Sequence, residues 1–292
     1  MRAVKAVKIT NVIADLCIKA NCSLRSDLLR KLESAYKKEP KRKAKAALEA
    51  IIKNAKLARR ENLAICQDTG LPIVFIEIGQ NVRIKGDLKQ AINRGIVQGY
   101  KRGCFRESIV SNPLVRMKPS YQGAVVHTEL VRGNKVKITL MPKGFGCENK
   151  SLLKMFLPTA GTGEIKKFVI GAVKSAGPDA CPPYVVGVGI GGSADYASLL
   201  AKKALLKKGI STKNVRDTLR SRVSLIAMKG TVSDLENDLL KEINRLKIGP
   251  MGLGGQTTCL AVNIETYPTH IAGLPVAVNI SCHALRSATK VL

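Results

Sequence analysis

The stretch Cys181-Pro182-Pro183-Tyr184-Val185-Val186-Gly187-Val188-Gly189-Ile190-Gly191-Gly192-Ser193 decides the fold class. Tyr184 to Ile190 is an apolar run of strand length, closed by a glycine pair. Ser193 then fits the N-cap of a helix reading to Lys208 and closed by Gly209. A strand feeding directly into a helix is the repeating unit of α/β architecture.

Working outward, Glu164 to Ala176 places Ile165, Phe168, Val169, Ala172, Val173 and Ala176 at helical intervals. Downstream, Ser233-Asp234-Leu235-Glu236 has the form of a capping box, so a helix is expected to begin there and to bury Leu235, Leu239, Leu240, Ile243 and Leu246. Upstream, Ile73 to Ile78, Ala124 to Val131 and Val136 to Leu140 read as strands. Asp87 to Tyr100 reads as a helix with Leu88, Ala91, Ile92 and Ile96 on one face. Gly144-Phe145-Gly146 breaks the pattern as a turn. The first sixty residues carry alanine, leucine and isoleucine at helical spacing among lysines, which predicts two or more basic helices with Pro40 between them. The fold class is therefore α/β: mixed sheets with flanking helices behind a helical N-terminal segment. Residues 1–60 are expected to pack as a basic segment on the same domain that residues 61–292 form.

With 292 residues, 45% of them apolar, the chain belongs among globular proteins and can bury a core. No apolar run reaches the length of a membrane helix, and Met1 to Lys5 does not open a secretory signal, so a cytoplasmic protein without a membrane partner is expected. The formal net charge is +28. Residues 1–60 hold seventeen Lys and Arg against five Asp and Glu, whereas Ile248 to Leu285 holds Glu265 alone among charged residues. Such an excess raises nucleic acid as a partner. The basic stretches lack interleaved aromatics, at 4% of the chain, and match no named nucleic-acid module; a solvated lysine face or an acidic partner accounts for them as well.

Eight cysteines without short regular spacing do not make a disulfide framework. Cys17, Cys22, Cys104, Cys147 and Cys259 read mostly as core filler. Cys66, Cys181 and Cys282 stand apart because of their neighbours. Cys66 opens the polar run Cys66-Gln67-Asp68-Thr69-Gly70, costly to bury unless it binds something. Cys181 precedes a proline, as iron-sulfur ligands often do. Cys282 lies in Asn279-Ile280-Ser281-Cys282-His283. Three thiolates on a four-iron cluster leave one iron open, which is what a Lewis-acid catalyst needs. The glycine-rich segment Gly249 to Thr258 matches neither a Walker loop nor a dinucleotide fingerprint, and is expected to let backbone approach a small anion or a cluster.

From about Ala64 to Arg286 the chain resembles the alpha subunit, or N-terminal domain, of class I iron-sulfur fumarate hydratases and the related L-tartrate dehydratase alpha subunit. The blocks that carry the resemblance are Cys66 to Gly70, Glu148-Asn149-Lys150-Ser151, Cys181 to Tyr184, and Gly249 through Arg286. It implies that Cys66, Cys181 and Cys282 ligate a [4Fe-4S] cluster, that Asp68 and His270 form a catalytic pair, and that Gln67, Arg106 and Gly144 contact substrate. Residues 61–292 would then be the cluster- and substrate-binding domain. The implied reaction is the reversible hydration of fumarate to (S)-malate, a step of the tricarboxylic acid cycle; L-tartrate dehydration is the alternative. Because the chain ends at Leu292, soon after Cys282, the resemblance further implies a separate beta subunit that completes the site. Two departures are Cys147, where the family commonly has serine, and Met117 to Gly123, which replaces a more polar loop.

Overall fold

The structure, a computed structural model, describes residues 1–207 and 224–292, with side chains described again from residue 232. It confirms an α/β protein with mixed sheets. The chain divides into two compact units: Met1–Arg25, Lys53–Phe145 and Arg286–Leu292 form one, and Ser26–Ile52 with Gly146–Leu285 form the other. The first sixty residues are thus shared between the units, and residues 61–292 likewise fall in both.

In the first unit, β2 (Leu71–Gly79) is the hub of a four-stranded sheet. It pairs antiparallel with β5 (Val136–Lys143) and parallel with β4 (Val125–Val131), and β10 (Ala288–Val291) adds antiparallel to β5. The register sets Val74 opposite Leu140 and Ile76 opposite Ile138, so one face of both strands is apolar. A separate parallel pair joins β1 (Arg2–Lys5) to β3 (Val82–Lys85). Helices α1 (Ala6–Cys22) and α4 (Leu88–Arg102) pack on each other, and Ile9, Ile13, Ile92 and Ile96 join Val74, Ile76 and Ile138 in one core. Asp87 caps α4 by accepting from the Gln90 amide at 2.9 Å.

The two helices cross closely because Gly95 and Gly99 face α1. A Cβ on Gly95 would stand 2.6 Å from the Thr10 carbonyl oxygen, and one on Gly99 would stand 2.7 Å from that of Ala14. Thr10 uses the approach, its hydroxyl donating to the Ala91 carbonyl at 3.0 Å.

The second unit holds the strand read first. β7 (Tyr184–Gly191) lies parallel to β8 (Cys259–Tyr267) and antiparallel to β9 (Leu274–Ser281), with β6 (Leu152–Phe156) on the far edge of β9. Helix α7 (Ala194–Leu205) follows β7 through Ser193, as expected, and packs back on it where Gly187 and Gly189 face the Ala201 and Ala197 carbonyls. Helices α6 (Thr162–Ala176) and α8 (Ser224–Arg245) complete a core with Val169, Val173, Val186, Val188, Leu239 and Ile243. Lys208 and Gly209, expected to close α7, lie outside the described residues.

Two expectations are corrected: Gly144-Phe145-Gly146, read as a turn, leads into a short helix, α5 (Phe145–Glu148), and the helix expected at Ser233 starts earlier. The helix expected to start at Ser233 runs through it as part of α8, so the Ser-Asp-Leu-Glu sequence is helix interior and caps nothing. Glu236 instead accepts a 2.7 Å hydrogen bond from the Ile264 amide of β8. The basic N-terminal segment resolves into α1, α2 (Ser26–Lys38) and α3 (Arg42–Glu61), with Pro40 between α2 and α3, and β1 precedes them. β6 and the pair β8 and β9 are strands that the sequence reading did not identify.

Gly99→Val should destabilise the protein by about 1–3 kcal/mol through overpacking against backbone, read as a lowered urea midpoint at unchanged slope. An unchanged midpoint would mean that α1 and α4 do not cross at this glycine.

Candidate functional site

The polar run after Cys66 is held by its own backbone and by the end of β5. Asp68 Oδ1 accepts from the Gly70 amide at 2.9 Å, and Oδ2 accepts from the Phe145 amide at 2.9 Å. Both carboxylate oxygens are therefore fixed by N–H donors, one from its own loop and one from the turn at Gly144. Gly70, at φ +76°, sits where a Cβ would come within 2.8 Å of the Lys143 amide nitrogen, so only glycine lets the loop lie this close to β5. A Cβ on Gly144 would stand 3.1 Å from Asp68 Oδ2 and 3.6 Å from Arg286 Nη2.

The loop is anchored from below. Tyr100 of α4 donates its hydroxyl to the Thr69 carbonyl at 2.8 Å and the Gly70 carbonyl at 3.1 Å. Burial pushes the Tyr100 phenol up, which keeps it a donor. Thr69 Oγ1 in turn donates to the Arg106 carbonyl at 3.1 Å. Gln67, Asp68, Arg106 and Gly144 are thus gathered within the first unit by hydrogen bonds and by adjacency along the chain; Gln67 and Arg106 keep exposed side chains, and Asp68 is half-buried.

Cys181, Cys282 and His270 belong to the second unit. Cys181 is half-buried and has φ +55°, a left-handed conformation that costs a non-glycine residue energy and persists only where surroundings impose it. The residue that follows Cys282 closes the arrangement: His283 Nδ1 lies 3.1 Å from the Cys181 carbonyl, so the loops bearing Cys181 and Cys282 meet. Cys147 is buried, its thiol donating to the Ala180 carbonyl at 3.4 Å, one residue before Cys181. Glu148 accepts from Lys202 and, at 3.0 Å, from Asn279, which also donates to Ser151 at 2.8 Å. The Glu148 to Ser151 block therefore braces the strand leading to Cys282. His270 is exposed, its Nδ1 accepting from the Ala272 amide at 3.2 Å.

The glycine-rich loop packs around a carboxylate of the protein itself. Glu39, almost wholly buried, accepts from the Gln256 amide at 2.8 Å and from the Lys41 amide at 3.1 Å. A Cβ on Gly255 would lie 2.7 Å from Glu39 Oε2. The anion beside Gly255 is the protein's own carboxylate, whereas Gly249 lets the chain turn against Gly254 and Gly252 lies against Pro178. Sequence reasoning also passed over Asn21, Tyr100, Glu39 and Arg286. Their only sequence-level signal is Arg286's position four residues after Cys282.

Among the described residues, no three His, Cys, Asp or Glu side chains gather as ligands of a single metal ion. No helix of the described residues is long and apolar enough to cross a membrane. The cysteines separate into classes. Burial pushes the Cys259 thiol up to about 12 and raises those of Cys17 and Cys22, in keeping with core roles. Cys104, expected in the core, is exposed at the turn after α4.

Maleimide labelling of the folded protein near pH 8, followed by peptide mass spectrometry, should modify Cys104 rapidly and leave Cys17 and Cys259 unmodified until denaturant is added. Early labelling of Cys259 would contradict its burial.

Known proteins place this geometry. The family model described as "Fumarate hydratase (Fumerase)" matches residues 10–291. The "Putative L(+)-tartrate dehydratase subunit alpha" of Methanocaldococcus jannaschii is 39% identical over 292 residues, covering 97% of each chain. The "L(+)-tartrate dehydratase subunit alpha" of Escherichia coli K12 is 26% identical over 286 residues, covering 97% of this chain and 90% of that one. A match along nearly the whole length, with the clamped Asp68 loop and the joined Cys181 and Cys282 loops inside it, identifies the chain as a member of the fumarate hydratase (Fumerase) family of hydro-lyases.

Proposed function

We propose that the chain is the alpha subunit of an iron-sulfur hydro-lyase that interconverts fumarate and (S)-malate, its site completed by a beta subunit. The observation that carries this reading is the Asp68 clamp. A carboxylate two residues from Cys66, with both oxygens oriented by backbone donors beside a side-chain-free turn, suits proton exchange with a substrate oxygen. Relatives named as alpha subunits support the need for a beta subunit.

The donor set fits a [4Fe-4S] cluster. Cys66, Cys181 and Cys282 are half-buried thiols outside any disulfide, and the Cys181 carbonyl contact to His283 joins two of their loops. In a cluster each thiolate binds its own iron, so the ligands need not converge as they would on a single ion. When bound, the cluster supplies an open iron position that polarises the substrate hydroxyl. On this reading Asp68 and His270 handle the proton of that hydroxyl, Arg106 grips a substrate carboxylate through parallel N–H donors, and Gln67 and the Gly144 turn position the substrate. Trans addition leaves the carbon-bound proton to a residue of the beta subunit. A cytoplasmic location belongs to the same proposal.

L-tartrate is the second substrate reading, favoured by the names of the relatives. Both acids are four-carbon dicarboxylates with a leaving hydroxyl, and they differ by one further hydroxyl.

The test is anaerobic: the chain is co-purified with its beta subunit, supplied with iron and sulfide, and fumarate absorbance is followed on adding malate, with L-tartrate in parallel. Fumarate formation that disappears in Cys181→Ser and falls about 10²–10⁴-fold in kcat in Asp68→Asn is the expected result. Dominant tartrate turnover selects the second substrate, and turnover of neither acid by cluster-loaded protein overturns both. The +28 charge also predicts that kcat/KM for a dianion declines as salt rises, through weaker steering. A flat salt series would remove steering from the account.

A further inference from the structure

Arg286 is 3% exposed, and one of its guanidinium nitrogens is buried with no partner. Nη1 donates to Asn21 Oδ1 at 3.0 Å, while Nε is buried with no partner. Nε and Nη2 form one edge of the planar guanidinium, the edge that presents two parallel N–H groups. Nη2 on that edge stands 3.6 Å from the position a Gly144 Cβ would take, and Asp68 Oδ2 stands 3.1 Å from the same point. No ion pair among the described residues includes Arg286. A guanidinium buried without a carboxylate is costly unless a bound group completes its shell.

The gap left by Gly144 thus lies between a donor edge and an acceptor oxygen. A carboxylate placed there would meet the negative Asp68 oxygen. A hydroxyl satisfies both sides at once, its proton donated to Asp68 and its oxygen accepting from Arg286. We propose that Arg286 is a substrate-binding residue that, with Asp68 across the Gly144 gap, reads a hydroxyl of the hydroxy-dicarboxylate. This inference rests on the reading that the Gly144 turn faces substrate. It adds a residue in the return segment after Cys282 to the recognition of the hydroxyl, and so to the choice between acids bearing one and two hydroxyls.

The experiment measures binding, so that it stands apart from turnover. The cluster-loaded complex with the beta subunit is titrated with (S)-malate, L-tartrate and succinate, the last a dianion of equal length without a hydroxyl, by calorimetry and thermal shift. Wild-type protein should bind one of the hydroxy acids at least about tenfold more tightly than succinate, as expected of a charged group paired with a hydroxyl. Arg286→Lys should lower that preference at least about threefold, the open iron keeping the remainder, with succinate affinity almost unchanged. Gly144→Ala keeps the guanidinium, fills the gap and should have the same effect, which preserves the test if the Arg286 variant fails to fold. Equal weakening of all three acids in the variants, or an intact hydroxyl preference, overturns the proposal. Because binding is read directly, a complex that prefers hydroxy acids yet turns over neither would refute the hydro-lyase assignment and leave the role of Arg286 standing.

Discussion

The buried side chain and backbone of Asn21 are what the first unit's site depends on. Its carbonyl accepts from the Ile65 amide at 3.0 Å, immediately before Cys66, and its side-chain oxygen accepts from Arg286 at 3.0 Å. Its amide nitrogen donates to the Cys17 carbonyl at 3.1 Å, within α1. One wholly buried residue therefore ties the end of a helix, the entry to the Asp68 loop and the segment that returns after Cys282. A buried amide bonded at both its oxygen and its nitrogen is rigid, because releasing either partner leaves a polar group stranded in a dry interior. Tyr100 works in the same way on the other side of the loop, holding the Thr69 and Gly70 carbonyls from α4.

Glycine has three separate uses in this protein. At Gly95, Gly99, Gly187 and Gly189 it removes a side chain so that a helix can approach a helix or a strand closely. At Gly70 it supplies a positive φ. At Gly144 it leaves space beside charged groups, and at Gly255 that space is filled by Glu39. The contrast between the last two separates an internal brace from a candidate binding position: the Glu39 carboxylate receives amide donors of its own unit, whereas Nε of Arg286 finds no acceptor. The Glu148, Lys202, Asn279 and Ser151 cluster is a second internal brace, set under the strand that delivers Cys282.

The strands at Leu71–Gly79 and Tyr184–Gly191 were legible from short apolar runs, those at Val125–Val131 and Val136–Lys143 from the alternation of apolar and polar residues, and α4, α6 and α7 because their apolar stripes followed the helical period. β8 and β9 were not, since a segment with almost no charge gives no polar alternation from which to read a period. The Ser233 capping box misled because the same residues are compatible with helix interior once α8 packs on β8. Cys104 misled because a thiol's apolar character says nothing about which side of a turn it lands on.

The sequence by itself determined the α/β class, the three cysteines set among polar and helix-breaking neighbours, and Asp68 in their company. These rest on local signals: periodicity, residue chemistry and spacing. Only the tertiary structure decided that Asp68 is clamped by Gly70 and Phe145, that Glu39 occupies the glycine loop, and that Arg286 faces the Gly144 gap. Those are contacts between residues as far apart as 265 positions, as for Asn21 and Arg286. Which distant polar groups are driven together is settled by how sheets and helices pack, because each buried donor must find whatever acceptor the packing brings to it.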